Sequence, residues 1–173
     1  LAILVLISLM WIPVALFFLG KGEAKGTGAI TAFVGIAVVC GAFLQTAVFK
    51  DGFTGGLLFA HGLLYCTVAY ALLVGLEDFR SVGNVSLVVA VISAIYMIIF
   101  YIGGTASDSK ILVARSDYLA FACLGYTVLT VEVWLNSYGK LSARVLAWSL
   151  LLWTPIGLWI PAFMLMAKGT LPF

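Results

Sequence analysis

Charged side chains are scarce in this sequence, and their scarcity excludes a water-soluble domain. Only 9% of the 173 residues are charged, whereas 64% are hydrophobic and the mean hydropathy is +1.21. A soluble domain has about a quarter of its residues charged, so this chain lacks the side chains to cover a surface in water. The composition predicts an integral membrane protein surrounded by membrane lipid. A net charge of +2 without a basic cluster argues against binding nucleic acid.

Residues for metal, redox or hydrolytic chemistry are equally few. His61 is the only histidine, and the three cysteines lie singly in apolar runs, without a CxxC pair or metal-ligand spacing: Cys40, Cys66 and Cys123. A Ser/His/Asp set, an HExxH motif and a glycine-rich phosphate loop are all missing. The sequence therefore predicts a protein that is not an enzyme and has no cofactor or metal. The roles of the cysteines stay open.

Long apolar runs dominate what is present. Each reaches the roughly 20 residues that a membrane-spanning helix needs, and charged residues mark the gaps between them. The runs cover residues 1–19, 29–49, 55–75, 82–102, 117–138 and 141–167. Because the connections are short, consecutive helices should be antiparallel neighbours. The predicted fold is an all-α membrane protein: one six-helix transmembrane domain over residues 1–173, built from three sequential helical hairpins.

The orientation of this bundle is weakly encoded. Five basic residues fall on the side of the first, third and fifth connections, namely Lys21, Lys25, Arg80, Lys140 and Arg144. The opposite side has Lys50, Lys110, Arg115 and Lys168. The positive-inside rule then favours both termini outside the cell.

The third run contains the polar residues on which a functional prediction depends. His61 and Tyr65 are four positions apart, so they share one helix face with Leu58. Polar groups in a membrane span usually face an interior path, so we expect this face to line a narrow pore. The alternative is a buried histidine bonded to a neighbouring helix. Haem or metal ligation lacks a second strong ligand. A second face of the same helix, Gly55, Gly62, Cys66 and Ala69, is thin enough for close helix approach.

Other spans add candidate pore residues. Trp11 precedes Pro13 in the first run, where a proline kink is either a packing feature or a bend lining the pore. Tyr126 and Thr130 repeat the four-residue spacing of His61 and Tyr65, which favours corresponding faces toward one axis, with ordinary helix packing as the alternative.

The last two spans contain one carboxylate well inside the membrane run, Glu132, and an aromatic, proline-rich stretch. Glu132 is interpreted either as an interfacial carboxylate that meets Arg144 or Lys140, or as a vestibule charge. Pro155 and Pro161 should bend the last helix and expose carbonyl groups to a cavity. The indole N–H of the neighbouring Trp153 and Trp159 needs a partner at that depth.

Three stretches resemble motifs of the AmiS/UreI family, the urea channels and amide transporters of bacteria. They are Ala32-Phe33-Val34-Gly35, then Gly56-Leu57-Leu58-Phe59 followed by Tyr65, then Trp159-Ile160-Pro161-Ala162-Phe163. Asp117 also fits the family's Asp-aromatic start to the fifth helix. The resemblance extends over the whole chain and implies a six-helix protomer in a ring of six. Each protomer would have its own aromatic pore for urea or short amides.

The resemblance also assigns residues to positions in that pore. Tyr65 takes the place of a constriction tyrosine, and His61 stands where the family usually has phenylalanine. Tyr126 stands at a pore-lining tryptophan position and Thr130 at a second constriction tryptophan. Trp153 falls where the acid-gated urea channels have a carboxylate. Because this chain has no loop histidine, we expect a pore that is ungated or not gated by loop histidines.

The resulting hypothesis is a passive, uncoupled channel for urea or small neutral amides in the bacterial inner membrane. Three alternatives stay open from the sequence. The protein could be a non-transporting membrane scaffold subunit, a membrane enzyme or haem protein, or a channel for another solute such as ammonia, water, a short-chain acid or a longer amide.

Overall fold

The chain folds into a bundle of helices in a computed structural model that describes residues 2–105 and 111–173. The first four helices are α1 (Ala2–Phe18), α2 (Ala24–Ala47), α3 (Gly52–Val74) and α4 (Arg80–Ile102). A short hairpin of β1 (Gly104–Thr105) and β2 (Ile111–Val113) follows. The chain continues through α5 (Asp117–Ser137), α6 (Ala143–Trp153), a π-helical segment (Thr154–Trp159) and α7 (Ile160–Lys168).

Length and composition allow five of these helical stretches to cross a membrane. They are α2, α3, α4, α5 and the continuous stretch from α6 to α7, Ala143–Lys168. The first helix is apolar but shorter, at 17 residues. The expectation of an all-helical membrane protein is therefore met in its architecture.

The main difference from the predicted spans is at the start of α2. The helix begins at Ala24, five residues before the apolar run, because Glu23 caps it. The Glu23 carboxylate accepts a hydrogen bond of 2.6 Å from the backbone N–H of Gly26, which would otherwise lack a partner in the first helical turn. A capping side chain thus extends the helix into a segment whose glycines and charges indicated a connection.

The prolines of the last helix change its hydrogen-bond register. The segment from Thr154 to Trp159 is π-helical, and the N–H of Ile160 bonds to the carbonyl of Pro155, five residues earlier. A single π-turn within an α-helix is often found at a functional site. The expected bend at Pro155 and Pro161 stays a prediction, and what the structure shows between them is a π-turn.

Glycines bring α2 and α3 into close contact. A Cβ added to Gly35 would lie 2.9 Å from both the backbone nitrogen and the sulfur of Cys66. A Cβ added to Gly62 would lie 2.8 Å from the side chain of Val39 and 3.1 Å from its backbone nitrogen. The prediction that one face of the third helix admits a close neighbour is confirmed, and that neighbour is α2.

A second close pair is formed by α4 and α5. A Cβ on Gly83 would overlap the hydroxyl of Ser137, and the Ser86 hydroxyl donates a 2.8 Å hydrogen bond to the carbonyl of Thr130. The most extensive helix packing therefore joins α2 to α3 and α4 to α5. The expected hairpins pair the helices differently, as first with second, third with fourth and fifth with sixth. Small residues explain the difference, since they decide which neighbours come closest.

The two ends of the connection between α4 and α5 pair as short strands, which the sequence analysis did not predict. Gly104 pairs with Val113, and Thr105 pairs with Ile111, in an antiparallel arrangement. Residues 106–110 at the centre of this connection, including Lys110 of the orientation argument, lie outside the described residues. The other short connections contain turns that reverse the chain.

An aspartate fixes the start of α3. Asp51 Oδ1 accepts a hydrogen bond of 2.9 Å from the backbone N–H of Thr54, and Oδ2 accepts one of 2.9 Å from the side-chain amide of Gln45 on α2. Partial burial raises the pKa of Asp51, but hydrogen bonds from Thr54, Gln45 and Phe53 outweigh it and hold the pKa below the ordinary value of 3.8. This carboxylate joins two helices at one end of the bundle.

We expect Gly35→Ala to lower stability, because the added methyl group must displace the backbone of Cys66. Overpacking of this kind costs about 1–3 kcal/mol, which should appear as a lower melting temperature in detergent. Gly52→Ala is the matched control, since its Cβ would meet nothing closer than 3.8 Å. Equal melting temperatures for the two variants would contradict the close approach of α2 and α3.

Asp51→Ala should lower the free energy of unfolding at pH 7 by about 0.5–2 kcal/mol, the range for loss of a helix cap. The folded-state pKa is depressed, so the stabilisation is present above pH 3.8 and is lost as the pH falls through the lower folded value. The difference between wild type and variant in thermal unfolding should therefore narrow in strong acid. Asp51→Asn retains a capping oxygen, so it should lose less stability than Asp51→Ala at pH 7.

Candidate functional site

Two cavities enter the bundle from opposite ends. The larger has a volume of about 830 Å³ and runs from the α3–α4 connection, where Glu77 and Arg80 line it, down past Thr130. The smaller has a volume of about 370 Å³ and lies toward Gln45 and Thr54 at the other end. Each of the helices α1, α3 and α5 extends from one end of the bundle to the other. One half of each helix therefore lines one cavity, and the other half lines the other cavity.

Four residues belong to the walls of both cavities, and we name this set the aromatic junction: Trp11, His61, Tyr65 and Tyr126. The ring centroids of His61 and Tyr126 are 5.6 Å apart, and those of His61 and Tyr65 are 6.0 Å apart. The rings of Trp11 and Tyr126 meet edge to face at 6.0 Å. These separations are typical of aromatic rings in contact, so α1, α3 and α5 converge on one point between the cavities.

All four members of the junction were candidate pore residues from the sequence. The helix periodicity placed His61 and Tyr65 on one face of α3, and both side chains are buried, at 6% and 5% exposure. Trp11 is 4% exposed, and Tyr126 is half-buried. The structure thus brings together residues from three separate spans.

His61 is buried and bonded to a neighbouring helix, as the alternative interpretation of the sequence had it, although the sequence did not indicate which residue is its partner. Its Nε2 atom lies 3.0 Å from the hydroxyl oxygen of Ser93 on α4, and Ser93 is 0% exposed. Ser93 belongs to a row of small residues on α4 at spacings of three and four, with Gly83, Ser86 and Ala90. That spacing is the one signal that marks the face of α4 turned to other helices.

Tyrosine hydroxyls satisfy the carbonyl groups that the π-helical segment leaves free. Pro161 has no N–H and cannot donate a helical hydrogen bond. In α-helical register the acceptor that loses its donor is the carbonyl of Gly157, and in π register it is the carbonyl of Ile156. Tyr126 donates a hydrogen bond of 2.6 Å to the Gly157 carbonyl, and Tyr118 donates one of 2.5 Å to the Ile156 carbonyl. The proline therefore determines where two phenol groups of α5 bind.

Thr130 and Leu58 each line one cavity. Thr130 belongs to the larger cavity, and its hydroxyl donates to the carbonyl of Tyr126 at 2.7 Å, which leaves the oxygen lone pairs as acceptors. Leu58 is an apolar wall of the smaller cavity. The two cavities therefore differ in polarity close to the junction.

Trp153 lies beside the cavities and is not among the residues of their walls. Its indole covers Gly125 of α5, where an added Cβ would overlap the ring, and its ring centroid is 5.2 Å from that of Phe121. Two glycines, Gly125 and Gly157, leave the space that the indole fills. Within residues 2–105 and 111–173 its buried N–H has no hydrogen-bond partner. The expected wall position is thus replaced by packing between α5 and the π-helical segment.

Glu132 also lies outside both cavity walls. Its Oε1 atom accepts a hydrogen bond of 3.0 Å from the hydroxyl of Ser149 on α6, and its Oε2 atom is buried without a partner among the described residues. The expected ion pair with Arg144 or Lys140 is not formed. Lys140 instead lies 6.0 Å from the centre of the Trp134 ring.

The mouth of the larger cavity contains charged residues that the sequence identified only as part of a connection. The Arg80 guanidinium donates to both carboxylate oxygens of Asp78, with nitrogen–oxygen distances from 2.6 to 3.0 Å. Hydrogen bonds from Arg80 hold the pKa of the exposed Asp78 at about 2, so this carboxylate remains ionised in mild acid. Asn136, Ser137 and Tyr138 at the end of α5 complete the polar rim.

Comparisons with known proteins agree with this architecture. Residues 2–169 match the model of a family described as the AmiS/UreI family transporter. A cryo-EM structure of the Helicobacter pylori urea channel in its closed state has a TM-score of 0.77 and 19% identity over 98% of both chains. A crystal structure of the urea channel from the same human gastric pathogen has a TM-score of 0.81 and 21% identity over 97% of both chains. At these identities the likeness establishes the shared fold. No curated protein matches the chain.

The compensation of Pro161 by tyrosine hydroxyls can be tested with a double-mutant cycle. Tyr126→Phe should destabilise the protein by about 1–3 kcal/mol, because the buried carbonyl of Gly157 loses its donor. In a Pro161→Ala background the backbone N–H at position 161 can replace that donor, so the same change should cost less. Unfolding in detergent measures both steps. Tyr70→Phe on the exposed face of α3 is the control, and additive losses at positions 126 and 161 would contradict the mechanism.

Proposed function

The chain belongs to the AmiS/UreI family of transporters and is a multi-pass membrane protein, and on this premise we propose that it is a channel for urea or other small neutral amides. Passage is passive and uncoupled, and it follows the two cavities through the aromatic junction. Both structural relatives are urea channels, which supports this solute class.

The observation on which the proposal rests is the position of the aromatic junction. Trp11, His61, Tyr65 and Tyr126 are the residues that both cavities share, so a solute moving from one cavity to the other must pass them. Aromatic faces provide flat surfaces against which a planar amide can stack. The imidazole and phenol groups provide hydrogen bonds in place of those that the solute leaves in water.

Selectivity in this pore arises from width and from charge exclusion. The junction has no charged side chain, and an ion entering a medium of low dielectric constant loses several kcal/mol of hydration. A neutral amide has a large dipole but no net charge, so it loses less hydration free energy than an ion does. Hydrogen bonds and aromatic contacts in the junction offset that loss. In a passive channel of this kind the solute moves down its own gradient.

The arrangement in the membrane follows from the same proposal. All six apolar stretches span the membrane, with α1 as the shortest span and the residues from α6 to α7 as one. Both termini lie outside the cell, so the larger cavity with Asp78 and Arg80 at its mouth opens to the cytoplasm of a bacterial inner membrane. The protomers assemble as a homo-oligomer, a ring of six, by resemblance to the family.

Purified protein in proteoliposomes should accelerate the entry of urea or acetamide without a proton or sodium gradient. Stopped-flow light scattering measures this rate against protein-free vesicles. Uptake that requires an imposed ion gradient would contradict the passive mechanism. Failure to transport any small amide would favour the scaffold alternative, and selective passage of ammonia or water alone would change the solute.

Tyr65→Ala should broaden the range of solutes that pass, because a large ring is removed from the junction. The ratio of propionamide to acetamide permeability is the measurement, and it should rise. Tyr70→Ala is the control on the same helix, since Tyr70 is 61% exposed on the outside of the bundle. An unchanged ratio in Tyr65→Ala vesicles would remove this tyrosine from the constriction.

A further inference from the structure

We propose that Ser93 fixes the proton of His61 on Nδ1, so that the imidazole presents an N–H donor to the solute and Tyr126 presents an oxygen acceptor opposite it. The inference rests on the proposed channel function and deepens it by assigning a polarity to the junction. Ser93 is a positioning residue that touches no solute, because it lies behind the imidazole on α4.

The proton of the Ser93 hydroxyl needs an acceptor inside the bundle. Ser93 is 0% exposed, and its hydrogen bond in the described part of the chain is the one to His61 Nε2, at 3.0 Å. A buried hydroxyl proton without an acceptor costs free energy. The hydroxyl therefore donates to Nε2, which must be the unprotonated nitrogen of the ring.

Other helical hydroxyls in this bundle show the contrast. Seven of them donate to a carbonyl three or four residues earlier in their own helix, as is common for serine and threonine, whereas Ser86 and Ser149 donate to acceptors on α5. This holds for Ser8, Thr31, Thr67, Thr127, Thr130, Ser137 and Thr154. Within residues 2–105 and 111–173 Ser93 makes no such bond, so its proton is available to the imidazole.

The protonation state of the ring itself follows from its surroundings. His61 is buried and no charged group of the described residues acts on it, so a neutral ring is favoured over an uncompensated buried charge. A neutral imidazole has one N–H and one lone pair. With Nε2 as the acceptor of the Ser93 bond, the proton is on Nδ1.

Tyr126, whose ring centroid is 5.6 Å from that of His61, offers an acceptor where His61 offers a donor. Its phenolic proton is used by the carbonyl of Gly157 at 2.6 Å, a carbonyl that Pro161 deprives of a helical donor. The phenol oxygen can then only accept from a solute. The two rings in contact at the junction therefore differ in polarity, with one N–H donor on His61 and one oxygen acceptor on Tyr126, and this pair complements the C=O and N–H groups of an amide.

The single histidine makes the proton assignment directly measurable. Protein labelled with 15N-histidine gives signals from His61 alone, and NMR in nanodiscs distinguishes a protonated from an unprotonated ring nitrogen. We expect a protonated Nδ1 and an unprotonated Nε2 in the wild-type protein. A protonated Nε2 would overturn the proposal, whether or not the protein transports amides.

Variants of two buried serines test the role of Ser93 in selectivity. In Ser93→Ala the ring loses its donor, so the Nδ1 proton should no longer be uniquely favoured. Acetamide permeability relative to water permeability should fall roughly twofold to tenfold, the loss expected for one neutral hydrogen bond. Ser93→Thr retains the hydroxyl and should restore both the NMR signature and the ratio.

Ser86→Ala is the matched control, because Ser86 is also 0% exposed on α4 but donates to the carbonyl of Thr130. It should leave the His61 signals unchanged. Unaltered signals and an unaltered permeability ratio in Ser93→Ala would overturn the proposal. A wild-type protein with the expected NMR signature but no amide flux would contradict the proposed function alone, since the proton assignment does not depend on transport.

Discussion

Polar atoms inside this bundle have only the protein as a hydrogen-bond partner, because hydrocarbon offers none. This constraint explains most of the contacts between helices. The carbonyls left free by Pro161 are bound by Tyr118 and Tyr126, and the Ser86 hydroxyl binds the carbonyl of Thr130 on the neighbouring helix. His61 is held by Ser93 for the same reason. These polar groups are therefore each oriented by a second polar group on a neighbouring helix.

The closely packed regions and the cavities lie between different pairs of helices in this fold. Small residues bring α2 against α3 and α4 against α5, and these two pairs provide the tightly packed parts of the bundle. Large side chains on the inner faces of α1, α3 and α5 keep the remaining helices further apart, and the two cavities lie between them. The aromatic junction is the point where those large side chains meet.

The junction differs in chemistry from the motifs that identified the family. By the resemblance of the sequence motifs, His61 is expected at a position where the family usually has phenylalanine, and Tyr126 at a tryptophan position. The histidine would add hydrogen-bonding atoms that phenylalanine lacks, and the tyrosine hydroxyl can accept a hydrogen bond whereas an indole N–H can only donate one. They require partners in the surrounding helices, and Ser93 and the π-helical segment provide them. A substitution in the junction is thus coupled to residues outside it.

Periodicity and composition determined the membrane bundle, its approximate helix bounds, the thin face of α3 and the four residues of the junction. Those features depend on spacing within one helix, which the sequence contains directly. The π-turn, the cap at Glu23, the position of Trp153 and the bond between Ser93 and His61 were decided by tertiary structure. Ser93 is 32 residues from His61 in the sequence. Their contact depends on the rotation of α3 and α4 about their axes and on the position of each helix along the bundle. A residue pattern within one helix specifies neither.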